Sequence, residues 1–379
     1  MFRKYALASL LLSLVFVFTL SAFNYAKSPK SWLEDLRAIY SQPIENWPLP
    51  TLDSAVDFVE FAPLPRSPFL GPELKPKADL GKLLFHDPRL SGSNQISCGS
   101  CHGSDLNWVD GRRVSLGHNH QNTKRNTPTI ENVWALELFF WDGRAKSLEA
   151  QAIESIRNPL EMNQDTAQLV QKLNGIAGYL PLFKQVYGTD RIALSQITDA
   201  LAYYQRTISS RLTSFDMFLQ GDSKALSDKQ LEGLHLFRTK GRCMNCHHGP
   251  FLTDGKLHNL GFAYYKFEGY EDLGLYMQTQ DMEDVGKFKT PGLRNVMRTG
   301  PWTHNGFFEN MIGLLSMYNQ GMPTIRPREE RESKDPFFKD SSPLLHKLDL
   351  SREELGAIVS FLESLSSAPN RLDQPKLPM

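Results

Sequence analysis

Apolar residues recur at helical spacing in several stretches of the chain, and this pattern predicts a mainly α-helical protein. Alternation of Val, Ile and Thr with polar residues, which marks β-strands, is scarce, so no substantial sheet is expected. In the last helical stretch, Ser351 and Glu354 have the spacing of a capping box, which predicts a helix start there. The predicted helices are Leu148–Ile156, Thr166–Asn174, Ile192–Ile208 and Glu353–Leu365.

The chain also contains an internal duplication. A helix-like apolar segment precedes each of two short cysteine motifs, Leu80–Phe85 before the first and Glu232–Phe237 before the second. After each motif an Arg-Asn pair lies near a Thr-Pro pair, at 125–128 and at 290–295, with the order of the pairs reversed in the second copy. This repetition predicts two similar domains in tandem, with a seam near Arg211–Ser223.

The length of the chain agrees with this division, because 379 residues suffice for two domains after a leader is set aside. We expect residues 1–27 to form the leader, 28–215 the first domain and 216–379 the second. A short basic start followed by an apolar run over Ala6–Phe23 is typical of a secretory signal peptide or of an N-terminal membrane anchor, and both remain open.

The net charge of the chain says little about its binding partners. The chain has 42 Lys and Arg residues and 42 Asp and Glu residues, so its formal net charge is zero. This balance gives no indication of a nucleic-acid partner, and a protein partner would have to dock on a local patch.

All four cysteines lie in two copies of the pattern C-x-x-C-H. This pattern attaches c-type haem: the two thiols form thioethers, and the His is placed beneath the iron as its proximal ligand. A Cys/His zinc site or a pair of redox-active dithiols is the alternative interpretation. Covalent haem is attached on the oxidising side of the bacterial inner membrane, in agreement with export, and it leaves no cysteine for a disulfide. The residues are Cys98, Cys101 and His102 in the first copy and Cys243, Cys246 and His247 in the second.

A series of ordered motifs between Leu80 and Leu365 resembles the bacterial di-haem cytochrome c peroxidases and their MauG-type relatives. The resemblance implies a mainly α fold of two cytochrome c-like domains in tandem, with two covalently attached haem c groups. It also implies that hydrogen peroxide reacts at the N-terminal haem and that the C-terminal haem handles electrons. Besides both C-x-x-C-H patterns, the motifs are LGKLLFHDPRLS, SLGH, RNTPT, FFWDGRA, NPLEM, FKTPGLRNV, TGPWTHNG and MYNQG.

The resemblance implies a peroxide site at the first haem. His102 would be the proximal ligand, and His118 in SLGH the removable distal ligand, with His120 as a nearby rival. Glu161 in NPLEM matches the family's catalytic Glu, and Gln151 matches a Gln that shapes the pocket. A pocket over a haem would raise the pKa of Glu161, which suits a group that takes a proton from peroxide and returns it.

The FFWDGRA motif carries a further implied site. Trp141 matches the family's Trp between the two haems, where an indole can shorten an electron-transfer step. We expect Asp142 and Arg144 to pair and position the turn, or Arg144 to reach a haem propionate.

At the second haem the resemblance makes His247 the proximal ligand. His304, in TGPWTHNG, would contact the haem or its propionates without binding the iron. His258 and His248 are weaker candidates, and His248 is expected to be exposed.

The sixth ligand of the second haem is where the sequence departs from the standard peroxidases, which have a Met at this place. Here the position is Tyr318, as in the MauG-type branch, and Met317 is adjacent. A thioether ligand raises the reduction potential of the iron, whereas a phenolate lowers it. We favour Tyr318 as the ligand, with Met317 as the alternative.

The family's calcium site between the haems is also matched. Its donors would be Asn126 and the backbone carbonyls of Thr299 and Pro301, which are hard oxygen ligands as calcium requires.

Three functions compete. The first is a periplasmic peroxidase that reduces hydrogen peroxide to water with electrons from a small c-type cytochrome or cupredoxin; a homodimer would agree with the resemblance. The second is a MauG-like enzyme that oxidises residues of a partner protein. The third is an electron carrier with two six-coordinate haems. Tyr318 favours the second and His118 the first, whereas Glu161, Gln151 and Trp141 argue against a mere carrier.

Overall fold

The structure is a computed structural model that describes residues 29–267, 269–324, 326 and 335–379. The predicted signal peptide or anchor at residues 1–27 lies outside this range. Helices in the described part of the chain are too short or too polar to cross a membrane. The chain divides between Trp47 and Pro48 into two compact units.

The first unit contains one described helix, α1, at Pro29–Tyr40. A turn follows in which the Trp47 indole N–H donates to the carbonyl of Gln42 at 2.9 Å. The Tyr40 and Trp47 rings pack edge to face, with centroids 4.9 Å apart.

The unit from Pro48 to Met379 is mainly helical, as the hydrophobic pattern predicts. In its described part the one sheet is a pair of short antiparallel strands, which confirms the expected scarcity of sheet. Its elements are α2 (Lys75–His86), α3 (Cys98–Cys101), α4 (Leu148–Arg157), α5 (Thr166–Asn174), α6 (Leu180–Tyr187), α7 (Leu194–Arg206), α8 (Ser214–Leu219), α9 (Asp228–Arg238), β1 (Leu257–Asn259), α10 (Tyr276–Thr279), β2 (Lys287–Lys289), α11 (Met311–Asn319) and α12 (Arg352–Ser364).

The four helices predicted from periodicity are all present, as α4, α5, α7 and α12. The capping box at the start of α12 is also confirmed. The backbone N–H of Glu354 donates to Ser351 Oγ at 3.2 Å, and the N–H of Ser351 donates to Glu354 Oε2 at 2.7 Å. Two backbone donors that the first turn would leave without partners are thereby satisfied.

The internal duplication is visible in two equivalent helix crossings. In the first half α2 crosses α7, and in the second half α9 crosses α12. Gly81 of α2 faces the carbonyl of Ala200, and Gly233 of α9 faces the carbonyl of Ala357. A Cβ at either glycine would collide with that carbonyl, so the close approach of each helix pair requires glycine.

A second equivalence corrects the order of the repeat inferred from the sequence. Asn132 and Asn295 each donate a backbone N–H to the segment just after the last helix of their half, to Ile208 and Leu365. Each amide oxygen then accepts the N–H of a serine two residues farther on. The residue of the first half that is equivalent to Asn295 is therefore Asn132, not Asn126. Thr-Pro precedes Asn-Val in both copies, without any reversal.

Each end of this unit packs against the half that is farther from it in the sequence. The segment from Thr51 to Leu64 lies against the second half, where Glu60 binds Arg238 through both carboxylate oxygens, at 2.6 and 2.9 Å. The C-terminal tail returns to the first half, where the N–H of Leu372 donates to Ser104 Oγ at 3.2 Å. The division at residues 215 and 216 stays a prediction.

Candidate di-haem active site

The first C-x-x-C-H motif forms the short helix α3 and the wall of a large cavity. The helix starts where the N–H of Ser97 donates to Ser100 Oγ at 3.0 Å. Cys98, Cys101 and His102 line a cavity of about 910 Å³. His102 Nδ1 lies 3.0 Å from the carbonyl oxygen of Trp108, which fixes the imidazole and leaves Nε2 as the nitrogen for a metal.

The second motif repeats this arrangement. Cys243, Cys246 and His247 line a second cavity of about 260 Å³. His247 Nδ1 lies 3.0 Å from the carbonyl oxygen of Leu252. In both halves a backbone carbonyl therefore orients the imidazole as it would for a proximal iron ligand.

The surroundings of the cysteines fit haem better than a four-cysteine zinc site or a redox dithiol. Because the two cysteine pairs line different cavities, they do not converge on one four-cysteine zinc site. Burial raises the pKa of Cys98 and of Cys243 to about 12, the opposite of an activated dithiol. The paired thiols, the oriented His and the roomy cavity suit one covalently held haem in each half.

A polar array lines the first cavity together with the cysteine motif. Asn158 Nδ2 donates to Glu161 Oε1 at 2.8 Å, and Gln151 Nε2 donates to Ser155 Oγ at 2.9 Å. Ser155 also lies beside Glu161, and all four residues line the cavity wall. Burial raises the pKa of Glu161 above its usual value. This is the environment expected of a carboxyl group that exchanges protons.

The SLGH loop packs directly on this array. The N–H of His118 donates to the carbonyl of Glu161 at 2.7 Å, and Gly117 contacts the carbonyl of Leu160. Gly117 lines the cavity, whereas His118 is not among its lining residues, and the buried Nδ1 of His118 has no hydrogen-bond partner in the described part of the chain. His120 is exposed. Ligation by His118 or by its rival His120 stays a prediction.

Trp141 and Asn126 lie in the wall that the two cavities share. The indole N–H of Trp141 donates to the carbonyl of Asn126 at 2.9 Å. The N–H of Asn126 donates to the carbonyl of His304 at 2.8 Å, and the Trp141 and His304 rings are 6.5 Å apart. A single hydrogen-bonded chain thus links the residues expected at the two haems.

Asp142 and Arg144 pair as predicted. Arg144 Nη1 lies 2.9 Å from Asp142 Oδ1, and its Nε lies 2.6 Å from Glu154 Oε2. Asp142 also binds Arg125 at 2.7 Å, and Arg125 in turn holds Asp272 in the second half at 2.6 and 2.8 Å. The guanidinium of Arg144 borders the first cavity, but its contact with a haem propionate stays a prediction.

The candidate sixth ligands of the second haem differ in position. Tyr318 lines the second cavity, and Met317, on the same helix α11, does not. Burial raises the pKa of the Tyr318 phenol above its usual value, so without a metal it is neutral. Met311, at the start of α11, also lines the cavity and is a thioether that the sequence motifs did not single out.

The remaining histidines of the second half have distinct environments. His304 lines the second cavity and stacks on Phe288 with ring centroids 3.6 Å apart. Burial lowers its pKa to about 3, and its Nε2 has no partner among the described residues. Burial alone would lower the pKa of His258, but its contacts with Asp254, at 2.7 Å, and with the Cys246 thiol raise that pKa. His248 is buried against Phe58, so its expected exposure is wrong.

The expected calcium donors lie near the shared wall. Asn126 lines both cavities, and Thr299 and Pro301 line the second. The Asn126 amide nitrogen donates to the carbonyls of Arg112 and Arg113, which orients the side chain and leaves its oxygen for another partner. This hard oxygen is a suitable calcium donor.

Sequence reasoning missed several residues of the site. Ser155 follows Gln151 by one helical turn, and that spacing could have placed the two side chains on one face. Lys289 lies in the FKTPGLRNV motif and lines both cavities, but the motif alone does not indicate a role for it. The bridging role of Arg125 depends on Asp272, far along the chain, and no local pattern indicates it.

Comparisons with known proteins agree with this geometry. The family model described as di-haem cytochrome c peroxidase matches residues 75–224. The methylamine utilization protein MauG of Methylophilus methylotrophus is 34% identical over 316 residues, which cover 82% of this chain and 89% of that protein. The cytochrome-c peroxidase IdrP1 of Denitromonas iodatirespirans is 34% identical over 352 residues, covering 85% of this chain and 90% of the relative.

A solved structure is similar as well. It is described as a MauG-like protein associated with microbial copper homeostasis, and it matches with a TM-score of 0.69 and 29% identity. The match covers 82% of this chain and 95% of that one. Relatives of this similarity, aligned over most of both chains, show that the chain belongs to the di-haem cytochrome c peroxidase family and carries two haem groups.

Proposed function

We propose that this protein reduces hydrogen peroxide to water at the first cavity, with electrons that enter through the second half. One peroxide takes up two protons and two electrons and gives two waters. The observation that carries the proposal is the array of Glu161, Ser155 and Gln151 facing the His102 cavity. A protein that only carries electrons needs no acid–base group at this place. The relatives named as cytochrome c peroxidases support the same activity.

Glu161 is the proposed acid–base group. The bound haem supplies the iron at which peroxide is held. The Glu161 carboxylate takes the proton from the near oxygen and returns it to the leaving oxygen; Asn158 orients it through a hydrogen bond, and Ser155 lies beside it. Burial raises the pKa of Glu161, so the group can bind and release a proton closer to neutral pH.

The other predicted residues have supporting roles in this proposal. Trp141 relays electrons across the shared wall, and His118 closes the first site until its loop withdraws. Calcium bound by Asn126, Thr299 and Pro301 fixes the two haem edges. His304 and Arg144 contact the haems at their edges.

We place the reaction in the periplasm, since covalent haem attachment takes place outside the inner membrane and the N-terminal sequence is typical of export. The electron donor would then be a small c-type cytochrome or a cupredoxin. The balanced net charge of this chain gives no preference between an acidic and a basic donor.

The test is peroxide-dependent oxidation of a reduced small cytochrome by the purified, haem-loaded protein. We expect two reduced cytochromes to be oxidised for each peroxide consumed. Glu149 on α4 provides a control, because it pairs with Arg206 outside the cavity. If Glu149→Gln and Glu161→Gln are equally active, the assignment of the acid–base group is wrong.

A second function is favoured by one observation. Tyr318 faces the second cavity, whereas the adjacent Met317 does not. A phenolate ligand lowers the potential of the second iron, which would then accept electrons poorly from an ordinary cytochrome. Such a haem suits a MauG-like enzyme that uses peroxide to oxidise residues of a partner protein.

Ligation decides between these functions, and three variants separate the candidates. If Tyr318 is the ligand, Tyr318→Phe will change the ferric low-spin EPR signal of the second haem and raise its potential, whereas Met317→Leu and Met311→Leu will change neither. If a methionine variant alone changes the signal, a thioether is the ligand and the conventional peroxidase is supported instead.

A further inference from the structure

Lys289 occupies an unusual place in the wall between the two cavities. It is the last residue of strand β2, and its backbone N–H donates to the carbonyl of Trp141 at 2.7 Å. Its side chain lines both the first and the second cavity. This backbone contact holds the residue beside the Trp that is expected to lie between the haems.

The other basic side chains of the two cavities are either paired or exposed. Arg125, Arg144, Arg242 and Arg294 bind carboxylates at 2.9 Å or less. Arg113 and Lys124 are exposed to solvent.

Lys289 belongs to neither group. None of the described residues accepts a hydrogen bond or forms an ion pair with its ammonium group, and burial lowers its pKa to about 8. Lys289 is half-buried, and an ammonium held at a cavity wall away from bulk solvent is unfavourable without an anion, so its surroundings are incomplete in the protein alone.

We propose that the Lys289 ammonium binds the propionate carboxylates of the haems at the shared wall, and that this one cation raises the reduction potentials of both. Each haem carries two propionates, which supply the anion that the protein does not provide. An ammonium–carboxylate contact shielded from solvent is a strong charge-assisted interaction. The shared wall lets a single side chain reach an edge of either haem.

The electrostatic consequence has a definite sign. Reduction adds an electron to each haem, and a nearby positive charge stabilises the reduced form. Removing the charge therefore lowers the potentials. Because Lys289 lines both cavities, the effect extends to both haems, whereas a residue of one cavity would affect one.

The test is a spectroelectrochemical titration of the haem-loaded protein with Lys289→Met, which removes the charge, and Lys289→Arg, which keeps it. Lys287 provides a matched control. It lies on the same strand, pairs with Asp284 at 3.0 Å and lines neither cavity. Resonance Raman bands of the propionates give a second readout, which a purely structural role of Lys289 would leave in place.

We expect Lys289→Met to lower both potentials and shift the propionate bands, while Lys289→Arg and Lys287→Met keep both potentials near the wild-type values. Unchanged potentials, or a shift of one haem alone, would overturn the proposal. If Lys289→Met does not load haem, the comparison of Lys289→Arg with Lys289→Gln takes its place, with the same expectations. The inference rests on two bound haems and not on peroxide as substrate, so its failure leaves the proposed function untouched.

Discussion

At the scale of single residues, the position of a side chain relative to the two cavities determines whether it can take part in the chemistry of the site. The fixed spacing of the C-x-x-C-H motifs predicted His102 and His247, and the resemblance to a family implied Glu161. The sequence could not predict that Ser155 contacts Glu161, because that contact requires the chain to fold back after α4. It was wrong about the exposure of His248, since its burial depends on Phe58, far away in the sequence.

Glu161→Gln should separate activity from stability. We expect kcat/KM for peroxide to fall by about 10²–10⁴-fold, the usual contribution of a general acid–base group. Wild-type activity should decline as the pH falls through the raised pKa of Glu161, because the protonated carboxyl cannot accept a proton, and this acid limb should be absent in the variant. A pH profile of kcat/KM measures both.

The same variant should lose activity without losing stability. A pKa that is raised in the folded state means that the charged carboxylate destabilises the fold above the unfolded pKa. Glu161→Gln should therefore be at least as stable as wild type at neutral pH in urea unfolding. A clear loss of stability would indicate a structural role for this carboxylate.

At the scale of elements, the duplicated helix crossings form the frame that holds each cysteine motif. Hydrophobic periodicity was sufficient to predict α4, α5, α7 and α12, because each of these helices carries buried apolar residues at helical spacing. The true order of the repeat was not readable, since Asn132 and Asn295 are equivalent through contacts with the ends of α7 and α12. Such contacts leave no local pattern.

Gly233→Ala should destabilise the second crossing. The added methyl group would collide with the carbonyl of Ala357, and overpacking of this kind costs about 1–3 kcal/mol. Gly356→Ala, on the partner helix α12, is the control. Its Cβ would meet only the end of the flexible Lys229 side chain, at 3.6 Å and beyond, so helix propensity should make it about 0.5–1 kcal/mol more stable. Urea unfolding measures the stability of both variants. Equal changes in the two would contradict the close packing of α9 against α12 at Gly233.

At the scale of the whole molecule, the two halves meet around the shared cavity wall. Trp141, Asn126 and Lys289 lie in that wall, and Arg125 connects Asp142 of the first half with Asp272 of the second. The sequence predicted two haem sites and a tryptophan between them through its resemblance to a family. Ion pairs between distant segments were not predictable, because they depend on how the halves pack.

Asp272→Asn should weaken this connection. Burial alone would raise the pKa of Asp272, but its contacts with Arg125 lower it, so the carboxylate stabilises the fold above its unfolded pKa of about 4. We expect a loss of about 1.5–3 kcal/mol at neutral pH that shrinks as the pH falls below about 4. Asp190→Asn is the control, since its pair with Lys184 is exposed and should contribute about 0–1 kcal/mol. A pH-independent loss would point to packing instead of charge.

Single-turnover reoxidation of the fully reduced protein by hydrogen peroxide tests the proposed function most directly. If peroxide is reduced at the first cavity with electrons from both haems, one equivalent will reoxidise both. Reoxidation will be slowed by about 10²–10⁴-fold in Glu161→Gln and unchanged in Glu149→Gln. Reoxidation at the wild-type rate in Glu161→Gln, or a need for two equivalents of peroxide, would contradict the peroxidase function.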